Sequence, residues 1–198
     1  MKKKISLGIV LTIIGLIGIA SILTMNLPLP PELEGVLKDR FTPQQIKLLY
    51  LINPTIMLIV AVIIGTILYR KVNLKVPLIE KMIGIEDNNL NISNILKYGV
   101  LRGILSGILI SIVGLIFNLI IPSEFLELEE SFKPTLAARF LYGGLTEEIL
   151  MRFGLMTLIV WLTSKIFKGT QPIVYWIGII VASIIFALGH FPIDYQAV

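Results

Sequence analysis

The chain has 198 residues, of which 56% are hydrophobic and only 15% charged. Soluble domains carry roughly 25% charged residues, so this chain cannot clothe a core in water-facing groups; a soluble enzyme and a disordered chain are both excluded. It holds no cysteine, one histidine and a net charge of +4, which removes thiolate nucleophiles and cysteine-bound zinc and supplies no basic stripe for nucleic acid.

A helix needs about 20 predominantly apolar residues to cross the hydrocarbon of a bilayer, and five runs meet that demand. Ile5 to Met25 is uncharged and follows Lys2, Lys3 and Lys4. It continues past the small residues Gly18-Ile19-Ala20, so it reads as an uncleaved span rather than a signal peptide. A proline-rich loop from Asn26 to Lys47 should begin extended. Leu48 to Tyr69 is the second run, with Pro54 near its start. The loop from Arg70 to Lys97 has room for a short interfacial segment. Tyr98 to Ile121 is the third run, where Gly99, Gly103, Gly107 and Ser111 form a stripe that would let a neighbouring helix approach closely. Leu136 to Ser164 is the fourth, interrupted by charges, and Ile173 to Phe191 the fifth. The expected fold is an all-α polytopic transmembrane helix bundle of about five spans. It divides into an N-terminal transmembrane region, 1–133, and a two-span region, 134–198.

With the N-terminus cytoplasmic, the inner segments hold ten basic residues: Lys2, Lys3, Lys4, Arg70, Lys71, Lys75, Lys81, Lys97, Lys165 and Lys168. The outer segments hold four: Lys38, Arg40, Lys47 and Lys133. This asymmetry fits a multi-pass protein of the cell membrane with its N-terminus inside.

The fourth run contains Glu147-Glu148-Ile149-Leu150-Met151-Arg152. Ionisable side chains inside a bilayer cost roughly 2.5–3.5 kcal/mol each even on lenient scales, and they mark functional sites by default. Glu148 and Arg152, four apart, share a helix face and can pair. Glu147 lies about 100° round the helix and is left for work. The fourth and fifth runs should form a hairpin about Lys165–Pro172. At 1.5 Å per residue, Glu148 and His190 both climb on the order of 25–27 Å from that turn, so glutamates and histidine share a depth. A carboxylate as general base and an imidazole that positions water, shuttles a proton or binds a metal point to hydrolysis. Other intramembrane protease chemistries fit poorly. The aspartates Asp39, Asp87 and Asp194 lie outside the spans, no His-Glu-x-x-His occurs, and Ser106 lacks a Gly-x-Ser-x-Gly setting.

These residues resemble the CAAX-processing and bacteriocin-processing (CPBP, or Abi) intramembrane protease family, related to the type II CAAX prenyl endopeptidases. The family's Glu-Glu-x-x-x-Arg motif matches Glu147, Glu148 and Arg152, with the usual following glycine displaced to Gly154. Its Phe-x-x-x-His motif matches Phe186 and His190, with Pro192 after it. The resemblance covers about Leu136 to Pro192. It implies a membrane endopeptidase whose glutamates and histidine activate water. Glu147 would be the base, Glu148 a second carboxylate of the site, Arg152 its structural partner and His190 a holder of the water or of a metal. The cofactor stays unknown, since one histidine and two glutamates suit either a divalent metal such as zinc or a metal-free mechanism. A third family motif, a second histidine followed four residues later by asparagine or aspartate, has no match, so the chain reads as truncated after its fifth span. The expected partners are the lipid bilayer and a membrane-associated peptide or protein substrate, with no nucleic acid. The isoleucine- and lysine-rich composition is of bacterial type, which favours a peptide precursor or membrane-protein segment over a prenylated substrate. The alternatives are a noncatalytic membrane regulator or bacteriocin-immunity-type protein on the same scaffold, and a transporter or channel fragment.

Overall fold

The computed structural model describes residues 2–25, 31–85, 91–120 and 134–190, and within them the chain is helical, without strands. Helix α1 (Lys2–Ala20) tightens into a last turn at Ser21–Thr24. Two short helices follow, α2 (Pro31–Arg40) and α3 (Pro43–Leu49). Each opens on proline, whose missing N–H is not needed at a helix's first position. Thr42 and Gln45 form a capping box at the start of α3, satisfying two orphan donors reciprocally. The loop expected between the first two runs is thus largely helical. Its proline-rich start, 26–30, lies outside the described residues.

Helix α4 (Ile52–Leu68) carries Pro54 in its first turn, where a proline costs no hydrogen bond. It ends in a tight turn, Tyr69–Val72, closed by Asn73 at φ 55°, a left-handed conformation that asparagine tolerates. The loop expected to have room for a short segment contains helix α5 (Pro77–Met82). Helix α6 (Ile92–Asn118) begins at Asn91, whose side chain accepts the Asn94 N–H at 3.1 Å. Helix α7 runs over Ala138–Ile166 and helix α8 over Pro172–Gly189. Among the described residues, five helices are long and apolar enough to cross a membrane: Ile5–Thr24, Pro43–Val72, Ser93–Asn118, Ala138–Ile166 and Pro172–Gly189.

In lipid, apolar side chains gain little by leaving the solvent, so helices associate through close packing and hydrogen bonds between them. The glycines show where that happens. A Cβ added to Gly15 would lie 2.5 Å from Leu58 on α4, and one added to Gly154 on α7 would lie 2.5 Å from the Cβ of Ala61. Gly65 likewise receives the ring of Phe153, and Gly178 receives Val160. These approaches close a core of Leu7, Leu11, Leu58, Val62, Tyr69, Ile149 and Phe153. A smaller cluster, Val72, Val160 and Val174, joins the α7–α8 hairpin to the end of α4.

The stripe on α6 behaves otherwise. A Cβ at Gly99, Gly103 or Gly107 would meet nothing within 4 Å, so among the described residues the expected close approach does not occur. The bundle draws its close contacts from single glycines on α1, α4, α7 and α8 instead.

Candidate active site

Helix α7 departs from α geometry where the charges lie. Residues Ala138–Thr146 and Ile149–Met156 are wound as π-helix, with Glu147 and Glu148 between them, before α geometry resumes over Thr157–Ile166. Such wide turns are rare and concentrate at functional positions, because each re-aims side chains relative to a regular helix. The sequence offered no signal for them beyond Gly143 and Gly144.

One hydrogen bond fixes the depth of this segment. The Thr146 hydroxyl, fully buried, donates to the Gly15 carbonyl oxygen at 2.8 Å. Gly15 stands ten residues from Ile5 and nine from Thr24, the ends of its span, or about 15 Å from either end at 1.5 Å per residue. Glu147, the next residue, therefore stands level with the middle of the α1 span. Gly18 completes the seat: a side chain there would collide with the Thr146 hydroxyl and the Leu141 carbonyl.

The pairings expected from spacing are present. Arg152 Nε donates to Glu148 Oε2 at 2.7 Å. His190, the C-terminal cap of α8, places Nε2 3.7 Å from Glu147 Oε1. The α7–α8 hairpin turns at 167–171 and so brings Glu147 and His190 to one depth. His190 Nδ1 lies 2.8 Å from the Phe186 carbonyl oxygen, and the two rings stand 4.2 Å apart. A carbonyl can only accept, so Nδ1 carries a hydrogen, and Nε2 is the ring nitrogen turned toward Glu147. At 3.7 Å the two groups are beyond direct hydrogen bonding and close enough for one water oxygen to reach both.

Beside this pair lies a cavity of about 470 Å³, walled by Glu147, Glu148 and Arg152 from α7 and by Ile179, Ala182, Ser183 and Phe186 from α8. Gly143, one turn before Glu147, also lines it and leaves open the space that a side chain would fill above the carboxylate. Gly143, Ala182 and Ser183 were not singled out by the sequence, because small residues in an apolar run do not show which face of the helix meets a cavity. Glu147 is 22% exposed and Glu148 49%, so the carboxylate facing histidine is the more enclosed.

A catalytic zinc takes three protein ligands and keeps one position open. Here two donors, Glu147 and His190, converge, while Glu148 is held by Arg152. No group of three His, Cys, Asp or Glu side chains suited to a metal occurs among the described residues. The described donor set does not fit such a site, and the chemistry below uses water alone. Asp194 and Pro192 lie outside the described residues.

Comparison with known proteins bears on the same stretch. Residues 130–198 match the family model of the Rce1-like type II CAAX prenyl endopeptidases. The match takes in α7, α8 and every residue of the Glu147–His190 site, and it spans about a third of the chain. The Rce1-like region thus coincides with the hairpin, whereas α1 and α4, which seat it, lie outside the matched residues. No curated protein and no solved structure gives a significant match.

Proposed function

We propose that this chain is an intramembrane endopeptidase that hydrolyses a peptide bond of a membrane-associated peptide or protein. The observation that carries the reading is the 3.7 Å approach of Glu147 Oε1 and His190 Nε2 beside a 470 Å³ cavity. The Rce1-like match over the same residues supports the reaction class.

In the proposed reaction, a water donates one hydrogen bond to Glu147 and the other to Nε2 of His190. Glu147 takes a proton as the water oxygen bonds to the scissile carbonyl carbon. The tetrahedral intermediate then collapses, the C–N bond breaks, and protonated Glu147 returns that proton to the leaving amine. His190 holds the water's orientation, and the Phe186 carbonyl holds the ring's tautomer. Glu148 and Arg152 neutralise each other and fix the wall of the cavity.

The test is cleavage by the full chain in proteoliposomes, with membrane-anchored peptides as substrate and mass spectrometry as readout. Glu147→Ala should abolish cleavage and leave insertion and the unfolding midpoint intact. Cleavage by Glu147→Ala at the rate of the parent chain would remove Glu147 as the base. Absence of cleavage by the parent chain would turn the reading toward a binding role on the same scaffold.

A further inference from the structure

A hydrolase inside a bilayer must be supplied with one water per bond cut, and hydrocarbon supplies none. During turnover the 470 Å³ cavity is where the substrate peptide has to lie, so replacement water needs another way in. The fold contains a second cavity of about 270 Å³ that also borders the Glu148–Arg152 pair. Glu148, Arg152 and Met156 line both cavities. The second is bordered at its other end by Lys75 and Val76, which follow the last turn of the Pro43–Val72 span and so stand at a membrane face.

We propose that this second cavity is the water-access route to the Glu147 site, with the Glu148–Arg152 ion pair as the wetted partition between the two. The proposal rests on the hydrolytic reading above. A water takes about 30 Å³ of liquid volume, so 270 Å³ holds several. Water persists in a cavity only where polar groups can bind it, and Lys75, Glu148 and Arg152 supply such groups along its length. The side chains of Glu148 and Arg152 are 49% and 74% exposed, so the pair is not sealed in apolar packing.

The mouth is also held in shape. Glu80, fully buried and remote from catalysis, accepts the Val76 N–H at 3.1 Å through one carboxylate oxygen. Its other oxygen accepts the Tyr69 hydroxyl at 3.0 Å and Arg70 Nη2 at 3.2 Å. That carboxylate ties the Leu74–Val76 segment to the end of α4 and keeps the opening from collapsing.

The absence of cysteine from the chain makes the test direct. Thr157 lines the second cavity and not the first, whereas Ile17 on α1 is exposed and borders neither cavity. Thr157→Cys and Ile17→Cys are each treated, in proteoliposomes of the full chain, with a charged thiosulfonate reagent. Such reagents need a thiolate, which forms in water and not in hydrocarbon, so Thr157→Cys should react at least about tenfold faster than Ile17→Cys. Equal rates would overturn the proposal.

A second measurement avoids any folding defect. Lys75→Cys is conjugated after reconstitution to a bulky thiosulfonate, assayed for cleavage, then released with reductant. Cleavage should fall about tenfold or more on conjugation and return on reduction; cleavage unaffected by the plug would also overturn the route. Failure of the unmodified chain to cleave would count against the hydrolytic reading alone, because labelling of Thr157→Cys still decides whether the second cavity is wet.

Discussion

Gly18→Ala perturbs the seat of the Glu147 segment without touching a charged residue. The added Cβ would collide with the Thr146 hydroxyl and the Leu141 carbonyl oxygen, and would lie 3.0 Å from the Leu141 carbonyl carbon. Carbon atoms prefer about 3.5–4.0 Å, and the obstacle includes backbone, so no rotamer change relieves it. Helices α1 and α7 must separate by about 0.5–1 Å, the shortfall against that preferred distance. Overpacking of this kind costs roughly 1–3 kcal/mol, or about 5- to 150-fold in the folding equilibrium at 1.4 kcal/mol per tenfold. The same displacement moves Glu147, one residue past Thr146, and a misplacement of about 1 Å can cost 100-fold in rate. Reversible unfolding in detergent and peptide cleavage in proteoliposomes read the two effects separately. Gly107→Ala is the companion, because a Cβ there meets nothing within 4 Å; it should be neutral, or stabilising by up to about 1 kcal/mol through reduced chain entropy. The reasoning is refuted if Gly18→Ala matches the parent chain in stability, or if Gly107→Ala is equally damaging.

Three further substitutions address other contacts. Thr146→Val keeps the volume and deletes the hydrogen bond to Gly15; the unfolding free energy should fall by about 0.6 kcal/mol and by no more than about 1.7, and an unchanged value would mean the bond does not hold α7 to α1. Glu80→Gln sets an amide N–H₂ against either the Val76 N–H or the Tyr69 and Arg70 donors. It should cost about 1–3 kcal/mol, read from the same unfolding curve, and a neutral result would show that the carboxylate does not anchor the 74–76 segment. Phe186→Leu removes the ring that lies 4.2 Å from His190, an aromatic contact worth about 0.5–1.5 kcal/mol. The expected outcome is a lower kcat, because the ring orients His190, together with a shift in KM, because the ring also walls the cavity; a change confined to KM would contradict the orienting role.

Much of the site was legible because charge in an apolar run is conspicuous. Glu147, Glu148 and Arg152 announce themselves by their cost in lipid, and counting residues from the Lys165–Pro172 turn is enough to bring His190 to the same depth. The five long apolar runs gave the architecture in the same way. What the sequence concealed depended on which neighbour each helix would meet. The regular Gly99, Gly103 and Gly107 stripe looked like the packing face, yet isolated Gly15, Gly18, Gly65, Gly154 and Gly178 make the close approaches. A lone glycine becomes informative only once the side chain opposite it is known. The π-wound turns around Glu147 were equally hidden, since no residue preference distinguishes them from α-helix. Glu80 was hidden for a different reason: its partners Tyr69, Arg70 and Val76 are brought round it by the turn at Asn73, whose left-handed backbone shows only in three dimensions.

The most direct measurement of the central claim, that Glu147 and His190 act on one water, is a double-mutant cycle on kcat/KM. Glu147→Gln, His190→Ala and the double variant are compared with the parent chain in proteoliposomes, each with its unfolding midpoint as a fold control. Groups that act as a unit lose nearly everything at the first substitution, so the double variant should be no slower than the worse single variant, each single loss being about 100-fold or more. Losses that multiply in the double variant would show two groups working independently, and would contradict the shared-water site.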